Sequence, residues 1–450
     1  MEFREKKVLI FGTGKSGIAA AELLQNTGAV LTVYDGNEKL TEEEVRSRSG
    51  AFSDAGILIG KLPEEAAAET EIAVLSPGVP LDCPEVLLLK EQKALLLGEI
   101  ELGYLFGKGR LCAITGTNGK TTTTALTGAL LAEEYEDVRV VGNIGNPYTS
   151  EAASMTDRTV TAAEISSFQL ETADTFHPEA AAILNITPDH LNRHHTMEAY
   201  IAAKERIAEN LRGEDVLVLN YEDPVLKSFG EQAECRVRFF SSERKVENGM
   251  YVRGKELVFV KDGAEDAWLS VDELQILGKH NWENACAAAL LAEAMGVSKE
   301  KIIRGLKKFQ AVEHRIEFAG EFDGVRYYND SKGTNPDAAI KGITSMDRPT
   351  VLIGGGYDKG SEYGEWIKAA IPHMKKLILL GQTRESIAEE CERQGFSEYE
   401  LVDSLEEAVE HARAAARPGD SVLLSPACAS WGMFKNFEER GNRFKELVRQ

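Results

Sequence analysis

The sequence predicts an α/β protein of about three domains. Its 450 residues are enough for three domains of ordinary size. Short apolar strands alternate with helical patterns along the chain, and a glycine-rich loop follows a strand at two places in its first third. With 43% hydrophobic and 28% charged residues, the composition is that of a globular chain rather than a disordered one.

Composition also excludes several classes of function. A net charge of -22 argues against nucleic acid or an anionic membrane as the main partner, because either would need a basic surface. The six cysteines show no CxxC spacing and are expected to be reduced core thiols. No apolar run approaches the roughly 18 residues of a membrane span, and the N-terminus has no signal-peptide shape. We therefore expect a cytoplasmic protein without membrane insertion, and a monomer.

The first domain is predicted over residues 1–98. Strand Lys7–Phe11 leads into the loop GTGKSG at 12–17 and a helix, and a second strand, Leu31–Tyr34, ends at Asp35. This is the dinucleotide fingerprint, which predicts that a pyrophosphate-like group binds at the helix N-terminus. It does not specify NAD, and a second phosphate loop further along the chain argues against nicotinamide chemistry. Asp35 either holds the ribose of another nucleotide or merely ends a strand.

A turn in the same domain is a second candidate for ligand binding. Strands are predicted at 57–59, 72–75 and 94–97. The turn Ser76-Pro77-Gly78-Val79-Pro80 follows the second of these. It therefore lies at the carboxyl end of a strand, where open α/β sheets bind their ligands.

The strongest motif is LCAITGTNGKTT at 111–122. Strand Leu111–Ile114 runs into a glycine-rich loop, then Lys120 and Thr121, then an Ala/Leu-rich helix. Such a loop cradles a triphosphate: its N–H groups approach the phosphates, the lysine reaches the β/γ oxygens, and the threonine hydroxyl faces Mg²⁺. The common pattern has four residues between its glycines, whereas only Thr117 and Asn118 separate Gly116 from Gly119 here. The alternative is an ordinary glycine-rich turn before a helix.

Polar side chains end three further strands of the central stretch, which we predict to form a domain over 99–311. Strand 138–141 leads to Asn143, strand 159–165 carries Glu164, and strand 181–186 ends in Thr187-Pro188-Asp189-His190. A doubly wound sheet collects its site residues at these ends. Glu164 alone could be a buried acid satisfied by backbone donors. Beside Asp189-His190 and a triphosphate loop, Mg²⁺ ligation is favoured.

Lys204 is the most unusual residue of the next helix. Thr196 is a suitable N-cap. An inward stripe at helical spacing includes Met197, Ile201, Ala208 and Leu211, and Lys204 falls on that stripe. A lysine there usually snorkels to solvent. Alternatively, a partly buried amine with a lowered pKa can react with CO₂ to give a carbamate, an anionic metal ligand. Spacing does not decide between the two.

The remaining chain contains short strands and then a third α/β unit, predicted over 312–450. Strands are predicted at 216–220, 237–240 and 251–260, followed by an Ala-rich helix in which Asn281 and Asn284 lie about one turn apart. In the third unit, strands 327–329, 351–353, 377–380 and 422–424 end in polar or glycine-containing turns.

Taken together, these motifs resemble those of the Mur ligases over nearly the whole chain. The resemblance rests on GTNGKTT, EISSFQLE, NITPDHLNRH, YIAAKERI, LGKHNWENA, EHRIE, NDSKGTNP and SPACASWGMFKNFEERG. The last of these is similar to the members that use D-glutamate, although Trp431-Gly432 replaces an expected Phe-Asp and SEYGEW follows DKG where an Asp-aromatic pair is usual. The resemblance implies a Rossmann-like N-terminal domain, a central P-loop ATPase domain with a doubly wound, mainly parallel sheet, and a Rossmann-like C-terminal domain.

The implied reaction joins D-glutamate to UDP-N-acetylmuramoyl-L-alanine at the expense of ATP, within peptidoglycan synthesis. The residues implied for catalysis are Lys120, Glu164, His190 and Lys204. Two Mg²⁺ ions would be held by Thr121, Glu164, His190 and a carbamylated Lys204. The nucleotide would be bound by Gly116, Thr117, Asn118, Gly119, Lys120, Thr121, Thr122, Asn143, Asn281, Asn284, Arg315 and Asp330. The uridine nucleotide would contact Lys15, Ser16, Asp35, Ser76, Pro77 and Gly78, and D-glutamate would contact Lys332, Thr334, Lys359, Ser430 and Phe437.

Two rival functions stay open at this point. A folylpolyglutamate-type ligase shares the chemistry but would lack a separate domain ahead of the phosphate loop. A nucleotide-dependent switch would need the loop but not Lys204, Lys332 and Lys359.

Overall fold

The N-terminal stretch forms a five-stranded parallel sheet. The protein is described here from a computed structural model that covers all 450 residues. The strand order is β3-β2-β1-β4-β5, a Rossmann-like order in which ligands bind where the strand order reverses, between β1 and β4. The strands are β1 Lys7–Phe11, β2 Val30–Asp35, β3 Gly56–Ile59, β4 Ile72–Leu75 and β5 Leu95–Gly98, and the helices are α1 Lys15–Leu24, α2 Glu42–Ser47, α3 Glu64–Glu69, α4 Pro84–Glu91 and α5 Glu99–Phe106.

The central stretch forms a nine-stranded sheet in the order β14-β13-β12-β11-β10-β9-β6-β8-β7. All pairs are parallel except those of β13, which is antiparallel to both neighbours. The strands are β6 Arg110–Thr115, β7 Val138–Gly142, β8 Val160–Glu164, β9 Ala180–Ile183, β10 Val216–Asn220, β11 Arg236–Ser241, β12 Gly249–Arg253, β13 Glu256–Lys261 and β14 Ala264–Ser270. The helices are α6 Lys120–Ala132, α7 Tyr148–Ala152, α8 Ser167–Leu170, α9 Leu191–His194, α10 Met197–Glu205, α11 Pro224–Gly230, α12 Lys279–Ala294 and α13 Lys299–Lys308.

The C-terminal stretch forms a six-stranded sheet in the order β15-β16-β20-β17-β18-β19, parallel except for the edge strand β15. The strands are β15 Glu317–Phe322, β16 Val325–Asn329, β17 Thr350–Gly354, β18 Met374–Leu379, β19 Tyr399–Leu401 and β20 Ser421–Leu424. The helices are α14 Pro336–Thr344, α15 Gly364–Ala370, α16 Arg384–Arg393, α17 Leu405–Ala415 and α18 Phe437–Val448. The α/β class with three mainly parallel sheets is therefore confirmed.

Central parallel strands are buried on both faces, which explains their continuous apolar runs. Every residue of β4, β8, β9, β10 and β20 is buried. Helices cover both sides of such sheets, so strand side chains of either parity lie in apolar surroundings. All six cysteines are free and four of them are buried, as expected for reduced core thiols.

Two strand predictions need correction, and three strands were not predicted. The strand predicted at 181–186 ends at Ile183, because Asn185 turns away to bind the backbone of Asn118. The stretch 251–260 is a hairpin, β12 and β13, interrupted at Gly254 with φ 63°. The unpredicted strands are β14, β15 and β19, which lie at sheet edges and bury little apolar surface.

The helix that carries Lys204 is shorter than the apolar stripe suggested. Thr196 caps it as predicted, accepting from the Ala199 N–H, but α10 ends at Glu205 and a 3₁₀ turn follows at Arg206–Ala208. Leu211 is buried but lies beyond the helix.

The chain divides into two compact units. One comprises residues 1–271 and 283–306, and the other comprises 272–282 and 307–450. The first two sheets belong to the first unit and the third sheet to the second unit. None of the helices is both long and apolar enough to cross a membrane.

Candidate active site

The phosphate loop joins β6 to the 13-residue helix α6. Gly119 is the N-cap of α6 with φ 85°, and a Cβ there would lie 2.5 Å from Asn284 Oδ1. Gly116 has φ 151°, and its Cβ would lie 3.0 Å from Leu184 Cβ. Both positions therefore require glycine. Although the loop is short, it leads directly into the N-terminus of α6, whose N–H groups can bind phosphate.

The loop is held from outside by the segment that follows β9. Asn118 N donates to Asn185 Oδ1 at 2.8 Å, and Asn185 Nδ2 donates back to Asn118 O at 3.0 Å. Lys120 Nζ donates to Gly116 O at 2.8 Å and to Thr117 O at 2.9 Å. The lysine ammonium thus lies over the loop, while Thr121 is buried at the start of α6 and Thr122 is half-buried.

Glu164 is the last residue of β8, beside the strand that carries the phosphate loop. Its side chain is 1% exposed. Oε1 accepts from Asn143 Nδ2 at 2.7 Å, whereas Oε2 is buried without a hydrogen-bond partner. A buried carboxylate oxygen without a partner is costly. The backbone-satisfied acid considered from the sequence is therefore wrong, and the free oxygen suits a cation.

His190 lies in the loop that follows β9, where it is the N-cap of α9 and has φ 52°. Its imidazole is exposed and Nε2 lies 3.5 Å from Asp189 Oδ2. No group of three or more His, Cys, Asp or Glu side chains is placed to hold a metal. Of the residues expected to bind Mg²⁺, only Glu164 and His190 are of these types. The expected site therefore also needs the Thr121 hydroxyl and a carbamate on Lys204.

Lys204 is buried, with 1% of its surface exposed. Nζ donates to Gly116 O of the phosphate loop at 2.8 Å and lies 4.7 Å from the centre of the Tyr200 ring. The snorkelling interpretation is therefore wrong. Burial and, to a smaller extent, the nearby Lys120 charge lower the pKa of the Lys204 amine to about 7, with Asp189 opposing the shift. A lowered pKa favours the neutral amine, which is the form that the carbamate interpretation requires.

The polar groups expected around the nucleotide lie in two parts of the chain. Near the phosphate loop, Asn284 Oδ1 accepts from Thr123 Oγ1 at 3.1 Å. In the second unit, Asn281 Nδ2 donates to Leu277 O at 2.7 Å. Asp330 of the same unit is buried and accepts from Ser425 Oγ at 2.7 Å. Burial raises the pKa of Asp330 to about 7, against the effects of Ser425 and Arg315.

Arg315 lies between two residues with left-handed backbones, His314 with φ 64° and Ile316 with φ 48°. This conformation is unusual for any residue other than glycine, and especially for a β-branched one. His314 is buried, and its Nδ1 lies 2.9 Å from Asn329 Nδ2. The strained segment is therefore held in place at the start of the C-terminal sheet.

The two lysines expected to bind D-glutamate each lie close to an aromatic ring in the second unit. Lys332 Nζ lies 5.2 Å from the centre of the Phe437 ring, and Thr334 N donates to Lys332 O at 2.9 Å. Lys359 Nζ lies 4.9 Å from the centre of the Trp431 ring. The unexpected Trp431 thus gives Lys359 a cation–π partner.

Ser430 is buried next to that tryptophan, in the segment that joins β20 to α18. Phe437 is the first residue of α18, which Asn436 caps by accepting from Glu439 N. The two residues therefore belong to the start of the last helix and to the segment that precedes it.

In the N-terminal sheet the glycine loop and the 76–80 turn lie side by side. A Cβ on Gly12 would lie 2.6 Å from Ser76 Oγ, and Ser76 N donates to Phe11 O at 3.1 Å. Asp35 accepts from Thr13 Oγ1 at 2.5 Å and from Asn37 N at 3.0 Å, so its carboxylate holds the loop in place. Lys15 and Ser16 are the first two residues of α1, and Pro77 and Gly78 lie in the turn after β4.

Comparison with known proteins covers the same three stretches. Family models match as the MurD-like N-terminal domain at residues 6–98, the Mur ligase middle domain at 114–292, and the glutamate ligase domain of Mur ligases at 314–428. The chain belongs to the Mur ligase family. The resemblance stated from the motifs is confirmed, and so is the fold class that it implied.

Relatives within the Mur ligase family match over the full length. The chain is 52% identical to the UDP-N-acetylmuramoylalanine–D-glutamate ligase of Lachnospira eligens, covering 100% of this chain and 99% of that one. It is 51% identical to the enzyme of that name from Lachnoclostridium phytofermentans, with the same coverage. The solved MurF ligase of Thermotoga maritima in complex with ADP shares the fold at 17% identity, with TM-score 0.57 and coverage of 100% and 96%.

Two buried residues that contact the candidate site or its neighbours were not predicted from the sequence. Tyr200 is 1% exposed, and its hydroxyl lies 3.0 Å from Thr117 Oγ1 in the phosphate loop. Its spacing four residues before Lys204 could have indicated a shared helix face. Arg440 is buried and donates to Ser331 Oγ at 3.0 Å and Cys428 O at 3.2 Å. Burial lowers the pKa of Arg440 to about 10. An arginine in a polar helix gives no indication of this burial.

Proposed function

We propose that the protein is an ATP-dependent ligase that joins D-glutamate to UDP-N-acetylmuramoyl-L-alanine. The reaction belongs to peptidoglycan precursor synthesis and cell-wall formation, and we place it in the cytoplasm. The observation that carries the proposal is the full-length identity of 51–52% to relatives of that name. The MurD-like domain at 6–98 also covers the stretch that a folylpolyglutamate-type ligase was expected to lack.

We assign one substrate to each domain. Residues 1–98 bind the UDP substrate, residues 99–311 bind ATP, and residues 312–450 bind D-glutamate. The adjacent glycine loop and 76–80 turn support the first assignment, and the phosphate loop supports the second. The basic and aromatic pairs of the third domain, Lys332 with Phe437 and Lys359 with Trp431, are suited to an amino acid with two carboxylates. We expect the protein to act as a monomer, which light scattering can check.

The chemistry follows from the poor reactivity of a carboxylate. Transfer of the γ-phosphoryl group of ATP to the alanine carboxylate gives an acyl phosphate and ADP. Such a transfer depends on positioning and on positive charge, which Lys120 supplies at the phosphate loop. The amine of D-glutamate then attacks the acyl carbon, a tetrahedral oxyanion forms, and phosphate leaves as the amide is made. Positive charge beside the oxyanion stabilises it.

The described residues fit a Mg²⁺ site. Two ions would be held by the Thr121 hydroxyl, Glu164, His190 and a carbamylated Lys204, and bound Mg²⁺ would neutralise the developing charge on the phosphoryl oxygens. The unpartnered, buried Oε2 of Glu164 is the observation that supports this.

Changing Glu164 to glutamine tests the metal site. The amide keeps the shape of the side chain and can still accept from Asn143, but it removes the negative charge that Mg²⁺ requires. We expect the Mg²⁺ concentration for half-maximal activity to rise about tenfold or more, with kcat lower at saturation. Titration of phosphate release with Mg²⁺ measures this. Glu151→Gln, in the same domain, serves as the control, and an unchanged Mg²⁺ requirement in Glu164→Gln would remove Glu164 from the ligand set.

Changing Lys359 to alanine tests the amino-acid site. The substitution removes one charge contact to D-glutamate, so we expect KM for D-glutamate to rise about tenfold or more while KM for ATP changes less than about twofold. Lys368→Ala removes an exposed lysine of α15 and should leave both constants unchanged. An equal change in the two constants for Lys359→Ala would contradict the assignment.

The proposed function as a whole is tested by phosphate release with a panel of UDP-muramyl precursors and amino acids. We expect activity only when UDP-N-acetylmuramoyl-L-alanine and D-glutamate are both present. If L-alanine or diaminopimelate proved a better acceptor than D-glutamate, the specificity for D-glutamate would be wrong and only the general ligase function would stand. If nucleotide hydrolysis did not depend on any added amino acid, the protein would instead be a nucleotide-dependent switch.

A further inference from the structure

A short segment of the central domain reaches the 76–80 turn of the N-terminal domain. The segment consists of His190, α9 and His195. Helix α9 has only four residues, and it is flanked by His190 with φ 52° and His195 with φ 66°. Left-handed backbone at both ends is costly for residues other than glycine, so outside contacts must hold the segment in this shape.

Arg193 makes the main contact with the turn. Its Nη2 donates to Val79 O at 2.9 Å and to Glu171 Oε2 at 2.6 Å. The guanidinium carbon lies 4.9 Å from the centre of the Phe168 ring. The side chains of Arg193 and Glu171 are only 12% and 16% exposed. A planar group bonded to two acceptors and stacked on a ring has little freedom, and a lysine could not reproduce this geometry.

A second contact joins the same two parts of the chain. His195 Nε2 lies 3.3 Å from Asp82 Oδ2, two residues beyond the turn. Both side chains are about two-thirds exposed. We call these two contacts, Arg193 with Val79 and His195 with Asp82, the clasp. An exposed pair contributes little, so the Arg193 contact is the stronger half of the clasp.

The inner side of the segment is anchored to the phosphate loop. Glu171 Oε1 lies 3.4 Å from His194 Nδ1, and His194 Nε2 lies 2.9 Å from Ser167 Oγ. The His194 ring lies 5.2 Å from that of Tyr200, whose hydroxyl contacts Thr117. Arg193 is therefore positioned by contacts within the central domain, and it donates a hydrogen bond to a turn of the N-terminal domain.

We propose that Arg193 is a positioning residue for the UDP substrate: by donating to Val79 O, it fixes the 76–80 turn in the shape that binds this substrate. The inference rests on the proposed function. It concerns a residue that reaches the substrate only through the turn, so its loss should affect binding of the UDP substrate more than turnover at saturation.

Calorimetric titration with UDP-N-acetylmuramoyl-L-alanine, without ATP or Mg²⁺, tests the proposal directly. We expect Arg193→Ala to raise the Kd of the UDP substrate about tenfold, because the 76–80 turn loses the charge-assisted hydrogen bond that fixes its shape. Arg193→Lys should recover part of the loss, and His195→Ala should raise Kd only about two- to threefold. The Kd of a non-hydrolysable ATP analogue should change less than about twofold in all three. In steady-state assays, KM for the UDP substrate should rise more than kcat falls.

Arg206→Ala is the matched control. Its guanidinium also donates to backbone carbonyls, those of Leu170 and Ala173, but both lie within the central domain. If Arg206→Ala raises the Kd of the UDP substrate as much as Arg193→Ala does, the effect is a general loss of stability and the proposal is overturned. It is also overturned if Arg193→Ala binds the UDP substrate as tightly as the wild type. A wild-type protein that does not bind the UDP substrate would overturn the proposed function as well.

Discussion

Replacing Lys120 with alanine should lower kcat by about 10²–10⁴-fold, comparable to the loss of an electrostatic stabiliser of the transition state. In the structure its ammonium lies over Gly116 O and Thr117 O, at the N-terminus of α6 where the phosphates are expected. The charge is needed most while negative charge moves from the γ-phosphoryl group to the leaving ADP. Phosphate release at saturating substrates measures the loss.

Two controls separate this effect from a loss of folding. Lys108→Ala removes an exposed lysine of the same domain and should keep wild-type kcat and Tm. Lys120→Arg keeps the charge with a different shape and should retain more activity than Lys120→Ala. A folded Lys120→Ala protein with near-wild-type turnover would show that the glycine-rich loop is an ordinary turn.

The phosphate loop could be predicted because its determinants are neighbours in the chain. Strand, glycines, lysine and helix follow one another between Leu111 and Ala132, and positive φ at Gly116 and Gly119 is a local requirement. The grouping of Glu164 with this loop was also predictable, because parallel strands bring their carboxyl ends to one edge of the sheet. The structure places β8 directly beside β6.

Arg193 and Tyr200 were not predictable because their partners are distant in the chain. Arg193 bonds to a carbonyl 114 residues earlier, and Tyr200 reaches a threonine 83 residues earlier. Backbone carbonyls carry no trace in a sequence, so an arginine that binds one looks like any surface arginine. The role of Trp431 was also not predictable. The sequence showed only that it departs from the expected motif, whereas in the structure its ring lies beside the Lys359 ammonium.

Lys204 required the structure for a different reason. Helical spacing placed it on the buried face, but a long side chain can leave that face and reach solvent. The outcome depends on what surrounds the amine. Here Gly116 O accepts from Nζ and the Tyr200 ring covers it, so the side chain stays buried.

Replacing Lys204 with alanine should lower kcat by about 10²–10³-fold, because it would remove the anionic oxygen ligand that we propose for the Mg²⁺ site. The ligand would arise when the neutral Nζ attacks the carbon of CO₂, forming an N–C bond and releasing a proton. With a pKa of about 7, the neutral fraction of the amine rises from about a tenth at pH 6 to about nine-tenths at pH 8. At fixed dissolved ¹³CO₂, the carbamate ¹³C resonance should therefore grow over this pH range in the wild type and be absent from Lys204→Ala.

Chemical rescue distinguishes a carbamate from a merely structural lysine. Acetate or propionate should restore part of the activity of Lys204→Ala, since a small carboxylate can place an oxygen near Mg²⁺ in the space that the side chain leaves. The same carboxylates should not rescue Lys120→Ala, which lacks a cation rather than an anion, so this variant controls for general effects of added salt. If carboxylates fail to rescue Lys204→Ala and the wild type shows no carbamate resonance at pH 8, Lys204 acts as an amine. Its hydrogen bond to Gly116 O would then support the shape of the phosphate loop alone.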